Sequence, residues 1–223
     1  MSAPRFPDAV LEEYEWTHVR DDTEVALELP FFSITAYNAI YEHVPSADAF
    51  HAVADPRIEI SGRSVFTSAL VFSTPLMEFG VSPASVFSIA CDHAKTEFAD
   101  SVREDGLVNV TQFADRDVAK TDATAGDVPA RAFGYDVEYP LADAVVEEDV
   151  TGGQFTVRGE LWAGIWPTES AYAMAGGMFP TEDVADAIER QAPAATLATD
   201  DALGVDADGD RERLLDAIRR AER

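Results

Sequence analysis

Residues 154–166, QFTVRGELWAGIW, alternate so regularly that they admit little but a β-strand. Phe155, Val157, Leu161, Ala163 and Ile165 fall on one face, and Thr156, Arg158, Glu160, Trp162 and Trp166 on the other, because strand side chains repeat with a period of two. A strand of this kind needs partners. Phe133, Tyr135, Val137 and Tyr139 repeat the same period, with Asp136 and Glu138 opposite. Residues 31–42 are uncharged until Glu42 and read as a strand covered on both faces, and 64–77 read as a second buried strand ending at Pro75. Asp55-Pro56 begins the approach to it, and Ser61-Gly62 marks a bulge or turn. Thr151-Gly152-Gly153 and Gly176-Gly177 read as turns. Hairpin-like spacing favours antiparallel pairing over βαβ crossovers.

A long helix is marked over 83–105. Ser82 suits its N-cap, Pro83 its first position and Gly106 its exit. Phe87, Ala90, Cys91, Ala94, Phe98 and Val102 make its apolar stripe. A further helix is expected after Pro180, capped by Thr181, with Val184, Ala185 and Ile188 facing inward. Beyond Gln191 the composition turns to Pro, Ala, Thr and Asp, and a last helix follows, capped by Asp210, with Leu214, Leu215 and Ile218 on one side. At that length it is marginal alone and needs a surface, on this chain or on a partner. The expected organisation is an α+β domain over 1–191, a mainly antiparallel sheet packed by one long helix and shorter C-terminal helices. An acidic linker over 192–209 and an amphipathic helix over 210–223 complete it.

The 223 residues carry 42 Asp+Glu against 16 Lys+Arg, a net charge of −26. Only Lys95 and Lys120 are lysine. The acids are spread along the chain, from Glu12, Glu13 and Glu15 to Glu147, Glu148 and Asp149, rather than gathered in a tail. On a folded surface of roughly 10,000 Å² they lie about 15 Å apart. Screening lengths are about 10 Å at 0.1 M salt and about 3 Å at 1 M, so their repulsion matters in dilute buffer and fades at molar salt. That pattern resembles the proteins of salt-in halophilic archaea. It implies a high K⁺/Na⁺ environment and argues against nucleic acid and anionic membranes as partners. One cysteine, Cys91, excludes a disulfide framework, and neither a long apolar span nor a signal pattern is present, so a cytoplasmic location is expected.

Candidate chemistry is sparse. His93 and Glu97 sit at i, i+4 on the long helix and could ligate a metal or form an ordinary charge pair, while Cys91 points with the apolar stripe. His43 and His51 flank Pro45 in a loop after a strand, near Glu42 and Asp48, where they could serve acid–base or metal chemistry or stand as solvated residues. Trp162, Trp166 and Tyr172 could line a ligand pocket or form a core layer. Asp206, Asp208 and Asp210 imitate the start of a calcium loop, but Arg211 and Ala217 stand where its Gly and Glu belong. No GxGxxG, phosphate loop, GxSxG or HExxH occurs, so no motif indicates a cofactor.

PARAFGYDVEYPL (129–141), the strand QFTVRGELWAGIW and AGGMFP (175–180) resemble uncharacterised haloarchaeal proteins related to the PsbP-like α/β/α sandwich. The resemblance implies an antiparallel sheet with helices packed on it and a non-catalytic binding or assembly role, and transfers no catalytic residues. The expected function is a cytosolic module binding a small ligand or a protein, as a homodimer or with a protein partner. The alternative is an enzyme of unknown reaction, metal-dependent or not, built on the His43/His51 loop or the Asp92–Glu97 turn.

Overall fold

The computed structural model describes residues 4–30, 32–58, 61–122, 124–145, 154–193, 195 and 203–222. A short helix, α1 (Asp8–Glu13), leads into a long hairpin of β1 (Trp16–Leu29) and β2 (Phe32–His43). Helix α2 (Val44–Val53) precedes β3 (Ser64–Phe72), and α3 (Phe87–Glu104) carries the chain to the far edge of the sheet. From there β4 (Val108–Val118), β5 (Ala130–Pro140), β6 (Thr156–Pro167) and β7 (Tyr172–Pro180) run back, followed by α4 (Val184–Gln191) and α5 (Ala207–Arg220). The strand order is β1-β2-β3-β7-β6-β5-β4, and every neighbouring pair is antiparallel. Two antiparallel meanders, joined through α3, thus meet where β3 pairs with β7, and the fold is α+β.

The period-two patterns translate directly into layers. Val157, Leu161, Ala163 and Ile165 of β6 join Phe133, Tyr135, Val137 and Tyr139 of β5 under α2, α3 and α4. Trp162 and Trp166, on the opposite face of β6, pack with Val10 of α1 and Leu214, Leu215, Ala217 and Ile218 of α5. Both faces of the central strands are therefore buried, which is why β6 carries large side chains on each. Helix α3 follows its expected stripe, with Phe87, Cys91 and Val102 buried. A short 3₁₀ segment, Pro83–Val86, precedes it; Ser82 Oγ accepts a bond from Ser85 N at 3.2 Å, and Gly106 leaves at φ +96°.

Several expectations change. Gly176 and Gly177 are not a turn but lie inside β7, where a Cβ on Gly176 would come within 2.7 Å of the Phe66 ring and one on Gly177 within 2.7 Å of Val65. Glycine there leaves room for the side chains of its paired residues on β3. The strand expected over 64–77 ends at Phe72, and Leu76–Phe79 forms a 3₁₀ turn. The supposed loop between His43 and His51 is α2, with Pro45 in its first turn, where its missing N–H costs nothing. Helix α4 is capped by Asp183 rather than Thr181, and Ala187 rather than Ala185 faces inward. Helix α5 starts at Ala207, with Asp206 accepting from Gly209 N, ahead of the expected Asp210. Strand β4 has no apolar alternation to announce it, because it is an exposed edge. The turn Thr151-Gly152-Gly153, the acids 147–149 and residues 196–202 of the linker lie outside the described residues.

Candidate functional site

Four strand ends align at one rim of the sheet. Trp16 pairs with His43, Glu42 with Ser64, and Ser64 with Met178. The end of α1 and the first turns of α5 rise above this rim and leave a cavity of about 220 Å³. That exceeds the roughly 150 Å³ of an engineered cavity able to hold benzene.

Its walls are charged, but most of the charge is matched. Arg63, just before β3, donates to Asp210 Oδ2 through Nε at 3.1 Å and Nη2 at 2.8 Å. It also donates to the Leu203 carbonyl at 3.3 Å and the Gly204 carbonyl at 3.0 Å. The two side chains are 11% and 8% exposed, so this is a buried ion pair linking residues 147 positions apart. Arg213 donates to Asp210 Oδ1 at 2.8 Å and to Asp206 at 3.1 Å. Glu13 pairs with Arg220 at 2.9 Å. The Tyr14 hydroxyl donates to Asp216 at 2.9 Å, and burial with that carboxylate pushes its pKa up to about 12.

Glu15 differs. Its side chain has no ion pair or hydrogen bond among the described residues, and its backbone is left-handed at φ 55°. That conformation costs a non-glycine residue about 1 kcal/mol. It turns the chain from α1 into β1 and presents the Glu15 carbonyl to Val44 N at 3.1 Å.

His43 lies deeper. Its Nδ1 shares a 2.7 Å hydrogen bond with Ser46 Oγ. Burial lowers its pKa from 6.5, and Arg63 pushes the same way against Asp210 and Glu15. The native state then binds fewer protons than the unfolded chain just below pH 6.5, so His43 contributes stability above that pH that is lost on acidification. His43→Gln is expected to flatten the fall in urea-unfolding stability between about pH 6.5 and 5 relative to wild type. Parallel curves would mean His43 titrates alike in both states.

The remaining residues singled out from sequence are dispersed. His51 sits in the last turn of α2, half exposed, 3.7 Å from Glu42, and shares no partner with His43. His93 and Glu97 lie 3.7 Å apart on the exposed side of α3, and no group of three metal-ligating side chains occurs among the described residues. Cys91 is buried, which pushes its thiol up to about 11. Trp162 lies on the α5 face, with Phe113 edge-on at 5.3 Å, the Arg116 guanidinium 4.8 Å from its ring and Nε1 donating to Glu160 at 3.1 Å. Tyr172 lies on the other face, its hydroxyl donating to the Pro83 carbonyl at 2.9 Å, so the sheet separates it from both tryptophans.

The residues that hold α5 in place carry little motif signal. Besides Arg63, Arg211 makes a bidentate pair with the buried Glu160. Lys120 Nζ lies 3.8 Å from the Trp166 ring centroid and donates to the carbonyls of Ile218 at 2.7 Å and Ala221 at 2.6 Å, capping the helix C-terminus. Burial pushes its pKa down to about 8.

No curated protein and no solved structure matches the chain. A family model described as a domain of unknown function, DUF6517, matches residues 3–222. The chain, through α5, therefore belongs to the DUF6517 family.

Proposed function

We propose that this protein is a non-catalytic, salt-adapted cytoplasmic module that holds a small polar molecule in the cavity between α1, α5 and the β2–β3–β7 rim. The cavity itself carries the reading. It has room for a compact ligand, and its charges are largely fixed by one another. The serine–imidazole contact, Ser46 to His43, borders a separate space between Phe50, Gly62 and Leu203 too small for a water molecule. Thermal-shift screening of compact metabolites in molar KCl should find a class that raises the melting temperature and is recovered chemically unchanged. Conversion of the bound compound to a new mass would favour the enzyme reading, and no stabilising compound would remove the binding one.

Haloarchaeal origin is part of the same proposal. It rests on the dispersed acids and on both lysines being tied down, Lys95 to Asp92 at 2.9 Å and Asp115 at 3.0 Å, Lys120 to α5. Helices on both faces of an antiparallel sheet agree with the layering implied by the PsbP-like resemblance. No helix is long and apolar enough to cross a membrane among the described residues. The folded circular-dichroism signal is expected to fall as KCl drops from molar to about 0.1 M, where screening lengthens to about 10 Å. A stability that is flat across that range argues against salt adaptation.

A further inference from the structure

We infer that the cavity selects a small organic cation, an ammonium on a compact apolar body, as the ligand of the binding reading above. Every arginine in the wall is committed. Arg63 directs its donors to Asp210 and two carbonyls, and Arg213 bridges Asp206 and Asp210. An anion would have to displace one of these carboxylates. His43 is neutral at pH 7, because burial and the nearby Arg63 disfavour its charged form. The unmatched charge in the wall is negative: Glu15, an exposed residue at the mouth of the cavity, close enough for its field to act on His43, with no side-chain partner among the described residues. Aromatic surface stands beside it, Tyr14 and Trp16 meeting edge to face at 5.4 Å, and Leu214 and Val65 supply apolar wall. A carboxylate next to aromatic faces and aliphatic side chains suits an ammonium with a short hydrocarbon body. The volume bounds that body to about ten heavy atoms.

Matched probes separate the charge from the shape. The full chain in molar KCl is titrated with isobutylammonium, isobutanol and isobutyrate, reading the Trp16 indole resonance, with Trp162 and Trp166 as internal references. Isobutylammonium should shift Trp16 saturably and bind about threefold more tightly than either other probe. Glu15→Gln should lower its affinity about threefold without changing the melting temperature, whereas Glu12→Gln, on an exposed neighbour outside the lining, should leave it unchanged. Saturable binding of isobutanol or isobutyrate as tight as the ammonium would overturn the charge assignment and leave the cavity reading standing. Ammonium binding insensitive to Glu15→Gln overturns the role of Glu15. Silence from all three probes overturns both the assignment and the binding reading.

Discussion

Asp210→Ala is expected to destabilise the fold by about 3–5 kcal/mol, since it leaves Arg63 as an unpaired charge in a buried site. For a chain of this size that is a fall in melting temperature of about 10 °C. The pair belongs to the core rather than the surface: its side chains are 11% and 8% exposed, and molar salt screens it far less than exposed pairs. The loss should therefore persist in concentrated KCl, unlike the effect of removing Asp208, which is 93% exposed beside Arg211. A double variant, Arg63→Met with Asp210→Leu, removes both charges and should recover most of the stability. A single variant within 2 °C of wild type in thermal denaturation would show the pair to be solvated (about 0–1 kcal/mol, as at a surface).

Ending the chain before Leu203 is expected to abolish cooperative folding. It uncovers Trp162, Trp166 and Ala175, which α5 now shields, and removes the buried Leu214, Leu215 and Ile218. Each of those three aliphatic side chains contributes about 1.5–3 kcal/mol by burial, together comparable with a whole domain's net stability of about 5–15 kcal/mol. Near-ultraviolet circular dichroism, which reports fixed tryptophan surroundings, should collapse in the truncated chain. Retention of a sharp thermal transition would mean that residues up to 202 form a self-sufficient domain and that α5 is an appendage.

The legible parts of the fold were those whose period matched their burial. Strand β6 and strand β5 could be read because every second side chain enters one core, and α3 because its apolar stripe recurs at helical spacing and Gly106 marks its exit. Strand β4 was invisible for the opposite reason: an edge strand lined with Asp115, Arg116 and Asp117 carries no apolar period. Gly176 and Gly177 mislead because glycine marks both turns and close approach, and only neighbours such as Phe66 and Val65 decide which. The cavity could not be read at all. Glu15, His43, Arg63 and Asp210 come from the α1–β1 turn, the end of β2, the approach to β3 and α5, and meet only through strand register and the docking of α5. Asp210 did carry a signal, as a presumed helix cap, but its partner lies 147 residues away and no local spacing connects them.

Hydrogen exchange of the intact chain in molar KCl, followed by mass spectrometry, asks most directly whether α5 is part of the folded body. Peptides from α5, around Leu214–Ile218, should exchange as slowly as those from β6, because the helix is buried against that strand and pinned at both ends by Arg63 and Lys120. Exchange of α5 within seconds while β6 stays protected would contradict this, and would take the proposed binding cavity with it.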